Sequence, residues 1–448
     1  MKVVKFGGSS VASAEQLVKV GDIIKEDDSR KFIVVSAPGK RTKEDIKITD
    51  LLIELGNTYI HKMDYKKVKQ IILQRFNDII ENLALQLSLL DEIEESIDKG
   101  LIDLEYNLEN IDCLKAIGED SSAKILSAYL QKLGLNARYL NPKQAGIIVS
   151  NEPGNAHILP DSYKKIQTLR EKEGIMVIPG FFGYTEEDEL MTFSRGGSDI
   201  TGSIIAAGVK ASLYENFTDV DSVYKVNPTI VDNPKEIRTL TYKEMRELSY
   251  AGFSVFHDEA LIPAFNAQIP VCIKNTNNPS KPGTMIVSEK KQDEKCVVGI
   301  ASDIGFTSIY ISKYLMNREV GFGRKLFQIL EEEGVSFEHA PSGIDDMSII
   351  IRESRLGSDK EEIILKRFKE ELQPDQVDIH RDLAIVMVVG EGLVSTIGVA
   401  QKATTAFAEA NVNIEMINQG SSEVSMMFGI KKEDLSKAVR SLYYHFFE

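Results

Sequence analysis

The chain has 448 residues, enough for roughly two to four domains with buried cores. Hydrophobic residues make up 43% and charged residues 27%, which excludes a disordered chain. A net charge of −15 argues against nucleic-acid or anionic-membrane partners.

Residues 3–6 read as a short apolar strand running into Lys5-Phe6-Gly7-Gly8-Ser9-Ser10-Val11, with an amphipathic helix over 13–25. Two glycines let the backbone approach a polyanion, and N–H groups opening the helix can bind phosphate oxygens. Lys5 would bring positive charge to transferring phosphoryl oxygens. Gly-Gly also serves packing in many such turns, and no Gly-Lys-Ser/Thr follows at the Walker spacing.

Residues 32–36, 175–179 and 211–214 are further short strands, doubly apolar and separated by helical stretches. They predict an α/β fold with a mainly parallel sheet covered on both faces. Residues 65–112 are expected to be helical, since Val68, Ile71, Ile72, Phe76, Ile79, Ile80 and Leu83 recur at i, i+3, i+4 spacing.

Gly118-Glu119-Asp120 opens a helix predicted to reach about residue 133. Glu119 either complements the helix dipole or binds a substrate ammonium. In Ser194-Arg195-Gly196-Gly197-Ser198-Asp199, Arg195 can clamp a carboxylate through two parallel hydrogen bonds. Asp199 can orient a lysine, help hold a metal, or simply occupy the first turn of a helix. Thr218, Asp219 and Tyr224 suit a nucleotide, and equally an ordinary surface turn. Cys113, Cys272 and Cys296 match no disulfide or zinc spacing, and the six histidines form no metal-like cluster.

A polar link at 288–294 marks the expected main domain boundary. Beyond it the chain repeats: sliding it by 77 residues lays 321–349 on 398–426 without a gap. Gly321 meets Gly398, Lys325 meets Lys402, Glu332 meets Glu409 and Gly343 meets Gly420. Each copy reads as strand, helix, strand, turn, strand, helix, a split βαβ module. The turn from Met316 through Gly321, Phe322 and Gly323 opens the first copy's helix, where N–H groups can receive a ligand carboxylate. Asp345 and Asp346 stand ready for an ammonium, and their counterparts Ser422 and Glu423 differ. No apolar run reaches the roughly 20 residues of a membrane helix, and residues 1–6 read as strand rather than leader, so a cytoplasmic protein is expected.

KFGGSSV at 5–11, VVSA at 34–37, GED at 118–120, SRGGSD at 194–199, TDVDSVY at 218–224 and QGSSE at 419–423 stand in one order. Together they resemble the amino-acid kinase family, and within it the aspartate kinases of the monofunctional, lysine-inhibited class. The resemblance implies a carbamate-kinase-like catalytic domain over 1–294, with a helical insertion at about 65–115. It also implies two ferredoxin-like ACT modules, one over 303–382 and one built from 295–302 and 383–448, with no room for an appended homoserine dehydrogenase.

By position, Lys5 and Asp199 would be catalytic, with Gly7, Gly8 and Ser9 along the phosphates of ATP. Ser36, Thr49, Glu119, Phe181, Arg195 and Ser198 would surround L-aspartate. Thr218, Asp219 and Tyr224 would face the nucleotide. Two departures stand out: Ser254 and Thr229 occupy positions where the family pattern has lysine and arginine, and Lys225 is the nearest compensating charge. ATP with Mg²⁺ is the expected cofactor, with no metal ligand assigned to the protein. Lysine is the expected inhibitor, at a dimer interface or within a dimer of dimers formed by the ACT modules. A weakened sensing paralogue and a same-fold kinase for another acid remain as alternatives.

Overall fold

The computed structural model describes residues 1–107, 111–194, 196–253, 258–290, 296–420 and 424–448. Their contacts divide the chain into two compact units. One takes residues 1–223, 236–245 and 254–291; the other takes 224–235, 246–253 and 292–448. The excursions at 224–235 and 246–253 were not anticipated. Val226 and Val231 explain the first, since both are buried in the core of the second unit.

In the first unit the strands are β1 (Lys2–Phe6), β2 (Arg30–Val35), β3 (Ala137–Tyr139), β4 (Ile175–Pro179), β5 (Phe182–Tyr184), β6 (Leu190–Thr192), β7 (Leu213–Thr218), β8 (Thr239–Thr241), β9 (Val271–Asn275) and β10 (Thr284–Val287). The main sheet runs β3-β4-β2-β1-β7-β9-β10-β8, and every pairing is parallel except β9 with β10. β5 and β6 form a separate hairpin. β1 lies centrally, and Val3, Val4 and Phe6 are fully buried, as a strand covered on both faces requires.

The helix Ala14–Lys25 starts where the Ser13 hydroxyl accepts the Gln16 N–H, and it packs Leu17, Val20 and Ile24 into the core.

Two expectations need correction. The strand expected at 211–214 is β7, displaced toward the C-terminus because Glu215 and Asn216 lie buried within it. Glu215 tolerates burial through the Arg30 guanidinium, with Nε 2.7 Å from its carboxylate. The helical stretch after residue 65 is two helices, Lys66–Asn82 and Ser88–Tyr106. Ala84 adopts φ 49°, and the Leu85 N–H reaches back to the Ile80 carbonyl, a left-handed cap that ends the first helix. Ile72, Phe76, Ile97 and Leu101 keep both helices on the shared core.

The second unit holds β11 (Gly299–Ser312), β12 (Asp346–Arg352), β13 (Gln376–Val389), β14 (Met416–Asn418) and β15 (Ser425–Lys431) in the order β12-β11-β13-β15-β14. All pairings are antiparallel. β11 and β13 each span 14 residues and pass through both copies of the repeat. Their register slips around Phe306, where Gly305 has φ 84° and Asp382 has φ 55°. Each copy keeps its own core, one around Ile309, Leu326 and Ile349, the other around Val386, Phe407 and Phe428.

The 77-residue offset carries over to the backbone. Helices Phe322–Glu332 and Val399–Glu409 match end to end, behind Gly321 at φ 85° and Gly398 at φ 88°. In the first copy the strand expected before the turn reduces to isolated bridges, His339 to Ile350 and Ser342 to Met347. Among the described residues no helix is long and apolar enough to cross a membrane.

Candidate active site

Parallel pairing of β1 with β7 sets Lys5 opposite Asn216, so the two side chains leave the sheet on one face. Both converge on Asp199 in the first turn of the helix Gly197–Gly208. The Lys5 ammonium lies 2.6 Å from Asp199 Oδ1, and the Asn216 amide donates to the same oxygen. Lys5 is 7% exposed, so its charge sits in surroundings where it acts strongly. Two residues before Asn216 on the same strand, the Tyr214 hydroxyl donates to the Asp199 carbonyl at 3.3 Å. Sequence reading missed Asn216; its signal is a polar amide in the middle of a strand, beside Glu215 and facing Lys5.

The glycine turn follows β1 directly. The Gly7 N–H donates to the Phe217 carbonyl at 3.0 Å, and the Gly39 N–H donates to the Gly8 carbonyl at 2.9 Å. A Cβ on Gly8 would come within 3.0 Å of the Ala37 carbonyl oxygen, so the turn requires glycine for close packing. Ser9 is exposed beyond it.

Glu119 lies in the first turn of the helix Ile117–Lys132 and is 5% exposed. Gly118 lets this turn abut the segment after β2, since a Cβ there would stand 2.6 Å from Ala37 Cβ. Burial raises the Glu119 pKa to about 8, against the lowering effect of N–H groups from Ala37 and Glu119 itself. Glu119 Oε2 and, one turn on, Ser122 Oγ are buried without hydrogen-bond partners among the described residues. A carboxylate held this way can take up a cation that the described residues do not supply.

Phe181 has φ 78°, a strained conformation for an aromatic residue. It is held there by its N–H to Thr201 Oγ1 at 3.0 Å and by its carbonyl, which accepts the Phe193 N–H at 2.8 Å. Ser198 is buried beside Gly180, Ser36 is half-buried just past β2, and Thr49 lies in the first turn of Ile48–Ile60. Thr218 closes β7 with its hydroxyl 3.2 Å from the Asp219 carboxylate, and the Asn275 amide donates to the Asp219 carbonyl at 3.4 Å.

Tyr224 and Lys225 fall in the second unit, where the Lys225 ammonium lies 4.5 Å from the Phe447 ring centroid. Thr229 donates its N–H and hydroxyl to Asn227 Oδ1, each at 2.9 Å. Arg195 and Ser254 lie outside the described residues. No group of three or more His, Cys, Asp and Glu side chains fit for a metal ion occurs among the described residues.

In the second unit Asp345 accepts the Leu315 N–H at 2.9 Å, and its carbonyl accepts the Lys313 N–H at 2.8 Å. These bonds join residue 345 to the segment leading into Met316. Met316 and Phe322 are buried, and Gly321 and Gly323 open the helix. Asp346 turns into a cavity of about 410 Å³ that Ser348 and His380 also line.

Comparisons with known proteins agree with this architecture. Residues 1–275 match the family model described as the Amino acid kinase family, and residues 386–446 match an ACT domain. Aspartokinase 3 of Bacillus subtilis is 55% identical over 100% of this chain and 99% of its own length. The crystal structure of Clostridium acetobutylicum aspartate kinase, termed an allosteric enzyme, superposes with a TM-score of 0.88 at 42% identity, covering 100% of both chains. E. coli aspartokinase III, solved with aspartate and ADP and again with lysine and aspartate, shares the fold at 24% identity, with TM-scores of 0.76 and 0.75 and full coverage of both chains. A lysine-bearing glycine turn, a buried carboxylate with one unpartnered oxygen and a duplicated split-βαβ unit thus stand in a chain that belongs to the amino acid kinase family, among the aspartokinases.

Proposed function

We propose that the chain transfers the γ-phosphate of ATP to the β-carboxylate of L-aspartate, giving the mixed anhydride β-aspartyl phosphate. The observation that carries this reading is the pair of buried charges, Lys5 fixed by Asp199 at the glycine turn and Glu119 with an unpartnered oxygen. Lys5 neutralises the transferring phosphoryl oxygens, while N–H groups of Gly8 and Ser9 follow the phosphates. Asp199 and Asn216 hold the Lys5 ammonium in place, so Asp199 orients rather than removes a proton. No base is needed, because the attacking carboxylate is already ionised at neutral pH. Glu119 takes the substrate α-ammonium, Arg195 its α-carboxylate, and Ser36, Thr49, Phe181 and Ser198 enclose the remainder. Mg²⁺ would enter with ATP as part of that substrate, relieving charge on the phosphates; the protein need not supply a cluster of ligands.

Lysine is the proposed inhibitor, received in the first ACT module by the turn Met316–Phe322 and by Asp345, with a dimer of such modules as the assembly. The lysine complex of the E. coli enzyme supports this reading, as do the bonds that join Asp345 to Leu315.

Coupled ADP release with ATP, Mg²⁺ and L-aspartate tests the activity, repeated with lysine, threonine and methionine. Turnover with aspartate but not glutamate is expected, with inhibition by lysine. ATP binding without turnover would favour the sensing alternative.

A further inference from the structure

The loop after β2, Pro38 to Lys47, is fastened at both ends to features already described. On one side the Gly39 N–H donates to the Gly8 carbonyl at 2.9 Å. The backbones meet so closely that a Cβ on Gly39 would lie 2.7 Å from the Gly8 carbonyl carbon. On the other side Arg75, from the helical insertion, is 4% exposed and reaches into the loop. Its guanidinium donates to the Gly39 carbonyl at 2.8 Å, to the Ile46 carbonyl at 3.0 Å and to the Asp45 carboxylate. Asp45 also receives the Arg41 N–H and guanidinium, each at 2.9 Å. Burial alone would raise the Asp45 pKa, but these bonds and the Arg75 charge lower it to about 2. Burying an arginine is costly, and here the two terminal nitrogens of Arg75 offset part of that cost by fixing the loop, while its Nε has no partner among the described residues.

The fastened loop sets Lys40 and Arg41 beside the glycine turn. Lys40 follows Gly39, is exposed, and makes no ion pair among the described residues. Its neighbour Arg41 is engaged by Asp45 and Asp78. Lys40 and Ser9 line one cavity of about 660 Å³, together with Ser13 and Asn277. A lysine side chain reaches about 6 Å from its Cα, so an ammonium anchored one residue from the Gly8 contact can meet a polyphosphate on that turn.

We propose that Lys40 is a phosphate-binding residue for ATP, held over the glycine turn by the Gly39–Gly8 contact and by Arg75. The inference rests on the phosphoryl-transfer reading and adds to it a residue on the nucleotide side. Its charge supplements Lys5 at a different point: Lys5 is buried at the strand end, whereas Lys40 approaches from the rim.

The test is binding of ADP and of adenosine to the full chain by calorimetry, for Lys40→Met and Lys40→Arg, with the KM values for ATP and aspartate alongside. Lys40→Met should weaken ADP about tenfold, the order expected for loss of one charge-assisted hydrogen bond, and leave adenosine unchanged. Lys40→Arg should restore most of the loss, and the Tm of both variants should match the parent because the side chain is exposed. Unchanged ADP affinity, an equal loss for adenosine, or a shift confined to the aspartate KM would each overturn the proposal. Because ADP binding is read without turnover, a chain that failed to phosphorylate aspartate would defeat the reading beneath without deciding the role of Lys40.

Discussion

The first unit holds two carboxylates at the proposed site, Asp199 half-buried and Glu119 buried, and it treats them in opposite ways. Asp199 is matched: Lys5 stands 2.6 Å away, and the Asn216 amide donates to the same oxygen. Glu119 is left with a buried oxygen that has no hydrogen-bond partner among the described residues, and burial lifts its pKa to about 8. A matched ion pair is a finished piece of machinery, whose purpose is to hold a lysine in position. An unmatched carboxylate is half of a pair, and in the proposed function the other half arrives with the substrate. On the proposed reading, the catalytic end is preorganised in the free protein, whereas the aspartate end is completed by binding.

The largest effect should come from removing the cation of the finished pair. Lys5→Ala should lower kcat by about 10²–10³-fold or more while the fold persists, read by coupled ADP release and circular dichroism. Near-normal turnover would mean that Lys5 is structural and that the matched pair only stabilises the sheet.

Glu119→Gln should act on the other side of the comparison. Aspartate KM should rise by about 10²-fold, with the ATP KM little changed, because a buried charge pair with the ammonium is lost. The parent should also show a pH dependence that the variant lacks. Below about pH 8 the free carboxyl is protonated and must ionise to take the ammonium. Aspartate KM should therefore climb by up to about tenfold per unit as pH falls from 8 toward 6.

Stability carries the opposite sign. The folded pKa lies above the ordinary carboxylate value, so the folded state binds more protons between about 4.5 and 8, and stability falls as pH rises through that window. Glu119→Gln should raise Tm near pH 9 and change it little near pH 4. An equal Tm at both values would show that the unpartnered oxygen is already satisfied.

Asn216→Ala should be milder. It removes one donor to Asp199 but leaves the ion pair, so kcat should fall about tenfold, with both KM values nearly unchanged. A loss as large as that of Lys5→Ala would show that the amide, rather than the aspartate, sets the ammonium's position.

Glycine turns and charged residues at helix starts are legible in a sequence, which is why Lys5, Glu119 and Asp199 could be named from it. The repeat was equally legible, because identical backbone needs such as Gly321 and Gly398 at positive φ leave identical residues. What lay hidden depended on partners distant in the chain. Asn216 reads as a poor strand residue until β1 is laid beside it, and Glu215 looks like a strand end until Arg30 is found across the sheet. The break at Ala84 was invisible to periodicity, because the apolar spacing resumes in the next helix on the same core. Arg75 gave no motif at all; only its buried guanidinium against Gly39 shows its task.

The smallest effect should come from Tyr214→Phe, which removes a bond to the Asp199 backbone and leaves the Asp199 carboxylate untouched. The hydroxyl donates to the Asp199 carbonyl at 3.3 Å, a long bond, from a side chain that is fully buried. That carbonyl belongs to a residue in the first turn of Gly197–Gly208, where it also serves as a helical acceptor, so losing the hydroxyl orphans no acceptor. Gly202 fits against the tyrosine ring end, with only 2.4 Å between its would-be Cβ and the hydroxyl, so the smaller phenylalanine creates little strain. The cost should be about 1 kcal/mol of stability, measured by denaturant unfolding, with kcat within about a factor of two. A kcat loss approaching that of Asn216→Ala would mean that the backbone position of Asp199, and not its two side-chain partners, fixes the Lys5 ammonium. The finished pair would then owe its geometry to the helix start beneath it.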